Sequence, residues 1–106
     1  MDLDVPNDLL SELYILEDKK PVRCHDVVIW SQWFFSHDRQ VALTEIGESH
    51  VSTVFIGISF GQENPLLFET MAFDSEGKST YSKRTATWED ALAAHNEIVV
   101  RVTEES

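Results

Sequence analysis

HVSTVFIGISF, residues 50–60, is followed after GQENP by LLFETMAFD, residues 66–74. How these two runs are read decides the fold. Alternation with a period of two puts Val54, Ile56, Ile58 and Phe60 on one face and Val51, Thr53 and Phe55 on the other. Both faces are largely apolar, so residues 50–60 are expected to form one central strand covered on both sides. If GQENP joins antiparallel neighbours, Phe55 lies near Thr70 and Gly57 near Phe68. DSEGK, residues 74–78, reverses the chain again before a strand over residues 80–86, and the expected register sets Glu69 against Lys83 and Thr70 against Ser82. Such cross-strand pairs typically contribute about 0.2–1 kcal/mol. Ser52, Thr53 and Glu69 have no His at a spacing that would make a nucleophile and base. The polar residues of both runs are therefore read as parts of a sheet.

The elements on either side follow from local signals. Residues 41–46 form a strand that GES turns back into residue 50. Near the start, residues 13–17 and 22–24 pair as a hairpin across DKKP. Asp26 then caps VVIWSQWFFSH, a helix of about three turns. Thr87, Trp88, Glu89 and Asp90 match the start signal of a last helix that runs towards Val102. The expected architecture is α+β: a four-stranded antiparallel meander, two helices and an N-terminal β-hairpin. Residues 1–12 are expected to be an acidic leader and residues 13–106 a single domain.

Charge narrows the range of functions. The net charge is -11, and residues 1–18 hold six acids and no base. Lys and Arg cluster only at Lys19, Lys20, Arg23 and at Lys83, Arg84, too few to release counterions from a phosphate backbone, so no direct nucleic-acid binding is expected. No stretch reaches the roughly 18 apolar residues of a membrane helix. With Asp where an export signal carries bases and Cys24 alone, the chain is expected to be cytoplasmic. No metal site is expected, because Cys24, His25 and Asp26 diverge as consecutive residues and His37 and His50 stand alone. No glycine loop suits a phosphate, and no cofactor is implied.

Helix geometry supplies the contact candidates. On the last helix Trp88, Ala91, Leu92, His95, Ile98, Val99 and Val102 form the core stripe, with His95 read as a hydrogen-bonded core residue. Asp90, Glu97 and Glu104 recur at seven-residue intervals on the opposite face, with Arg101 placed to pair with Glu97. That acidic stripe suits a partner protein with a basic surface. On the first helix Val27, Trp30, Trp33 and Phe34 are the core stripe, while Val28 and Phe35 point away from it. The N-terminal hairpin covers that second face, or a partner does, a homodimer included. His50, Arg84 and Trp88 are the contacts of an alternative, a small-molecule or nucleotide-binding module, and a non-sequential enzyme site from His50, Glu69 and His95 is the third class.

A resemblance accompanies these readings. The succession YILEDKKPV, DVVIWSQWF, HDRQVALTEIGESHVSTVFIGISF, PLLFETMAFD and TATWEDALAAHNEIVVRV, residues 14–102, resembles a family of small uncharacterised bacteriophage and prophage proteins. Its most specific pieces are VSTVFIG at 51–57, LLFETM at 66–71 and TWEDALAAH at 87–95. The chain departs from that pattern at Ser59 and Phe60, where the family carries Asp-His, and at Thr85 and Ala86, where it carries an aromatic and Ser. The resemblance implies a shared fold and a viral or mobile-element setting, and brings no activity. It leads to the expectation of a small acidic phage accessory protein that binds a host protein, including anti-CRISPR-like inhibition of a nucleic-acid-handling defence system.

Overall fold

The computed structural model describes residues 12–106. The acidic leader lies outside the described residues except for Glu12, which begins the first strand. The order of elements is β1 (Glu12–Glu17), β2 (Lys20–Cys24), α1 (Val27–Ser36), β3 (Gln40–Ile46), β4 (Ser49–Phe55), β5 (Ile58–Ser59), β6 (Phe68–Phe73), β7 (Ser79–Thr85) and α2 (Trp88–Glu105). The fold is α+β with a four-stranded antiparallel meander, β3-β4-β6-β7, and a second sheet, β2-β1-β5, that contains the N-terminal hairpin.

Local chemistry sets most boundaries. Asp18 (φ 52°) and Lys19 (φ 68°) both take the left-handed conformation of a two-residue hairpin turn, so Lys20 and Pro21 belong to β2 and face Glu17 and Leu16. The Asp26 carboxylate accepts from Val28 N–H at 2.9 Å and Ile29 N–H at 3.1 Å, satisfying two orphan donors of α1. Thr87 Oγ1 accepts from Asp90 N–H at 3.0 Å and does the same for α2. Asp74 closes the β6–β7 turn by accepting from Glu76 N–H and Lys78 N–H, both at 2.9 Å.

The long strand expected over residues 50–60 is two strands in two sheets. Gly57 breaks it at φ 76°, and a Cβ there would sit 3.1 Å from the Tyr14 carbonyl oxygen and 3.3 Å from the Phe55 ring. Only glycine accepts both the conformation and the approach. The Gly57 carbonyl accepts from Tyr14 N–H at 2.9 Å, and β5 continues along β1 with Leu13 opposite Ile58. The expected cover on both faces is also corrected. α2 packs on one face of the meander, burying Val51, Thr53 and Phe55 of β4 and Phe68, Thr70 and Ala72 of β6 completely or nearly so. The other face carries half-buried His50, Ser52, Val54, Glu69, Met71 and Phe73, with no described element packed over it.

Both registers differ from expectation. Thr53 faces Thr70 and Phe55 faces Phe68, a slip of two that keeps every side chain on its face. Glu69 faces Arg84 and Thr70 faces Lys83, a slip of one that moves Lys83 to the helix side and Arg84 to the open side.

An aromatic chain joins the two helices across the meander. Trp33 meets Phe55 edge-on at 5.8 Å, Phe55 meets Phe68 at 5.3 Å, and Phe68 meets Trp88 edge-on at 6.3 Å. Trp30, the one buried residue of α1, donates its indole N–H to the Tyr14 carbonyl at 3.0 Å. Val27, expected in the same stripe, is 61 % exposed.

Candidate functional site

A hollow lies between β7 and α2, a cleft of about 370 Å³ open to solvent. The end of β7 forms one wall with Lys83, Arg84 and Thr85. Asp90, Ala93, Ala94 and Glu97 form the other, at the i, i+3, i+4, i+7 spacing that brings residues to one side of a helix. α2 runs back along β7, since Trp88 meets Phe68 opposite Thr85, Glu97 reaches Lys83, and Arg101 and Glu105 reach Tyr81. The two alanines keep the floor low and the two acids stand at its margins.

The charges are unevenly compensated. Lys83 Nζ lies 3.6 Å from Glu97 Oε2, and Arg84 Nε donates to Glu69 Oε2 at 3.1 Å on the open face. Arg101, spaced to pair with Glu97, instead lies over the Tyr81 ring at 5.8 Å. Asp90 is exposed and has no cationic partner among the described residues. Thr85 is buried beside the cleft, and its hydroxyl oxygen has no hydrogen-bond partner among the described residues. At the far end the Tyr81 hydroxyl donates to Glu105. That hydrogen bond, with burial and the carboxylate's charge, holds the phenol above its ordinary range.

The sequence-derived candidates divide among four places. Asp90 and Glu97 share the cleft with Arg84, whereas Glu104 is exposed further along α2 and does not line it. Val28, 61 % exposed, and Phe35, 82 % exposed, lie together on the outer side of α1. His50 stacks on Phe73 at 5.0 Å on the open face of the sheet. Trp88 is on the helix side, with Lys19 of the hairpin tip 5.6 Å from its ring. His50, Arg84 and Trp88 are thus not brought together, and His95 is separated from His50 and Glu69 by the sheet. Among the described residues no three His, Cys, Asp or Glu are grouped to hold a metal, and no helix is long and apolar enough to cross a membrane.

His95 occupies a polar pocket in the core. Its Nδ1 lies 2.8 Å from Thr53 Oγ1, its Nε2 lies 2.9 Å from Thr44 Oγ1, and Thr53 Oγ1 lies 2.7 Å from Thr70 Oγ1. With the proton on Nε2, Thr70 donates to Thr53, Thr53 to Nδ1, and Nε2–H to Thr44, so each of these hydrogens has an acceptor. A charged ring reverses the chain and leaves the Thr70 hydrogen without one. Burial accordingly pushes the His95 pKa below its ordinary value. This is a structural histidine, held neutral.

Lys83, Thr85 and Ala93 were not among the expected site residues. The one sequence signal for them is the pair of small residues between Asp90 and Glu97, which leaves a gap on the flank of an otherwise bulky helix. Comparison with protein-family models, with curated proteins and with solved structures gives no match.

Proposed function

We propose that the protein is a binding module that engages a partner protein presenting basic residues, and that the cleft between β7 and α2 is where it does so. The observation that carries this reading is Asp90, an exposed carboxylate without a cation of its own among the described residues, at the margin of an open cleft. The net charge of -11 favours approach by a positive surface, while Glu97 at the other margin is already paired with Lys83. In the phage setting that the resemblance implies, the partner is a host protein in the bacterial cytoplasm. A component of a nucleic-acid-handling defence system fits the chemistry, because such proteins carry basic surfaces for their own substrates.

The test is capture of host proteins by immobilised wild-type protein and by the Asp90→Lys/Glu97→Lys double variant, at low and high salt. The expected result is a stoichiometric partner that is lost in the variant and weakened by salt. A partner retained equally by the variant would remove the cleft from the reading. Val28→Glu/Phe35→Glu is the parallel arm for α1, with light scattering to detect self-association.

A further inference from the structure

Among the described residues strand β7 is an edge, hydrogen-bonded to β6 alone, and its backbone can be assigned group by group. Ile56 N–H donates to the Leu67 carbonyl at 2.7 Å, which makes Ile56 and Leu67 a hydrogen-bonded pair in the β4–β6 register. Hydrogen-bonded pairs alternate along an antiparallel ladder. Glu69 and Met71 therefore bond to β4, while Phe68, Thr70 and Ala72 bond to Thr85, Lys83 and Tyr81 of β7. Ser82 and Arg84 are left with their N–H and C=O groups directed outwards, alongside the cleft.

Two of the other edges are blunted: β2 contains Pro21 and β5 is two residues long. β3, like β7, has an irregularity near one end, between Gln40 and Ala42, and does not border the cleft. The irregularity of β7 lies at its far end, opposite Ala72 and Phe73, so the segment from Tyr81 to Thr85 is regular. β7 is the edge that borders the cleft, and a further strand can be added to it there.

We propose that the cleft takes its partner as an extended segment, added antiparallel to β7 as a fifth strand of the meander, with a basic residue opposite Thr85 and an apolar one opposite Lys83. This rests on the reading of the cleft as a protein-binding site. Residues of the segment that pair with Ser82 and Arg84 receive the backbone hydrogen bonds and turn their side chains to the open face of the sheet. Those opposite Thr85 and Lys83 turn towards α2. Asp90 is the group that the first meets, and a Lys or Arg there supplies its missing cation. The second lies against Ala93, where Lys83 disfavours another base directly opposite and Glu97 is already paired. In an antiparallel segment the residue opposite Thr85 comes first, so the recognised order is basic, any residue, apolar.

The test uses fluorescein-labelled peptides with Arg, Val and Val at alternate positions separated by Thr, titrated into the full chain by fluorescence polarisation. The parent peptide is expected to bind, and one of the same composition with Arg and Val made consecutive to bind about tenfold more weakly. N-methylation of the Thr residues that pair with Ser82 and Arg84 is expected to weaken binding about tenfold, and N-methylation of Arg or Val to leave it unchanged. This comparison leaves the protein untouched. Ser82→Pro, which removes an outward N–H and no ladder bond, should act like the first methylation. No binding of the parent peptide, or equal effects of the two methylation patterns, overturns the proposal. Asp90→Lys separates the two levels: if it weakens binding while methylation does not, the cleft receives basic groups in another form and only strand addition falls. If methylation matters and Asp90→Lys does not, the charge reading falls and the basic residue is struck from the proposal.

Discussion

α1 is apolar at seven of its ten residues and α2 at nine of its eighteen, and the two use that content in opposite ways. α2 buries small or branched residues, Ala91, Ala94, Ile98 and Val102, along one side and presents acids on the other. α1 has no charged residue in its ten, buries only Trp30, and leaves Val27, Val28, Ile29 and Phe35 more than half exposed. A helix is held by the area it removes from water, and its apolar content does not measure that area. α2 is fixed along its length by the meander, whereas α1 is fixed by a few aromatic contacts at its centre and end.

The contrast can be broken at several points. Trp30→Ala has the largest expected effect, about 3–5 kcal/mol in urea unfolding, because α1 loses its anchor and the Tyr14 carbonyl loses its donor. A cost below about 1 kcal/mol would show that α1 is held elsewhere. Ile98→Ala should cost about 2–5 kcal/mol, one increment of a contact that α2 spreads over several residues. Thr53→Val removes the hydroxyl shared by Thr70 and His95 and is expected to cost about 1–3 kcal/mol.

The pH dependence isolates the same pocket. The folded pKa of His95 is depressed below an unfolded value of about 6.5, so the unfolded chain binds more protons in the interval between them. The stability that the neutral ring contributes is present above about pH 6.5 and is lost as pH falls through the folded value. The difference in urea midpoint between wild type and His95→Gln should therefore shrink on acidification, and a difference that stays constant would contradict a neutral His95. The smallest expected effect is that of Phe35→Glu, within about 0.5 kcal/mol. A loss of several kcal/mol would show that the outer side of α1 is covered and would abolish the contrast between the helices.

Much of the fold was legible because its signals are local. Asp26 and Thr87 mark helix starts by side chains that reach their own backbone, and DKKP, GES and DSEGK mark reversals by the residues in them. The break at Gly57 was hidden because Ile56 and Ile58 keep the alternation of one strand on either side of it. Lys83 was hidden by a single residue of register. With Glu69 opposite Lys83 the two bases exchange faces and no cleft is visible; with Glu69 opposite Arg84, Lys83 meets Glu97 and the cleft has its second wall. His95 was legible as a core residue, but its partners Thr44, Thr53 and Thr70 stand on three adjacent strands and are assembled only by the final registers.

The pairing of β1 with β5 also orders events during synthesis. Leu13 faces Ile58 across the second sheet, and Tyr14 donates its N–H to Gly57 and accepts at its carbonyl from Trp30. The hairpin of β1 and β2 therefore leaves the ribosome before the meander yet is without its third strand until residues 57–59 emerge. An isolated two-stranded hairpin is marginal in water. Its Tyr14 amide should gain protection from hydrogen exchange together with β4, and a nascent chain stalled before Gly57 should show a hairpin that is still exchanging.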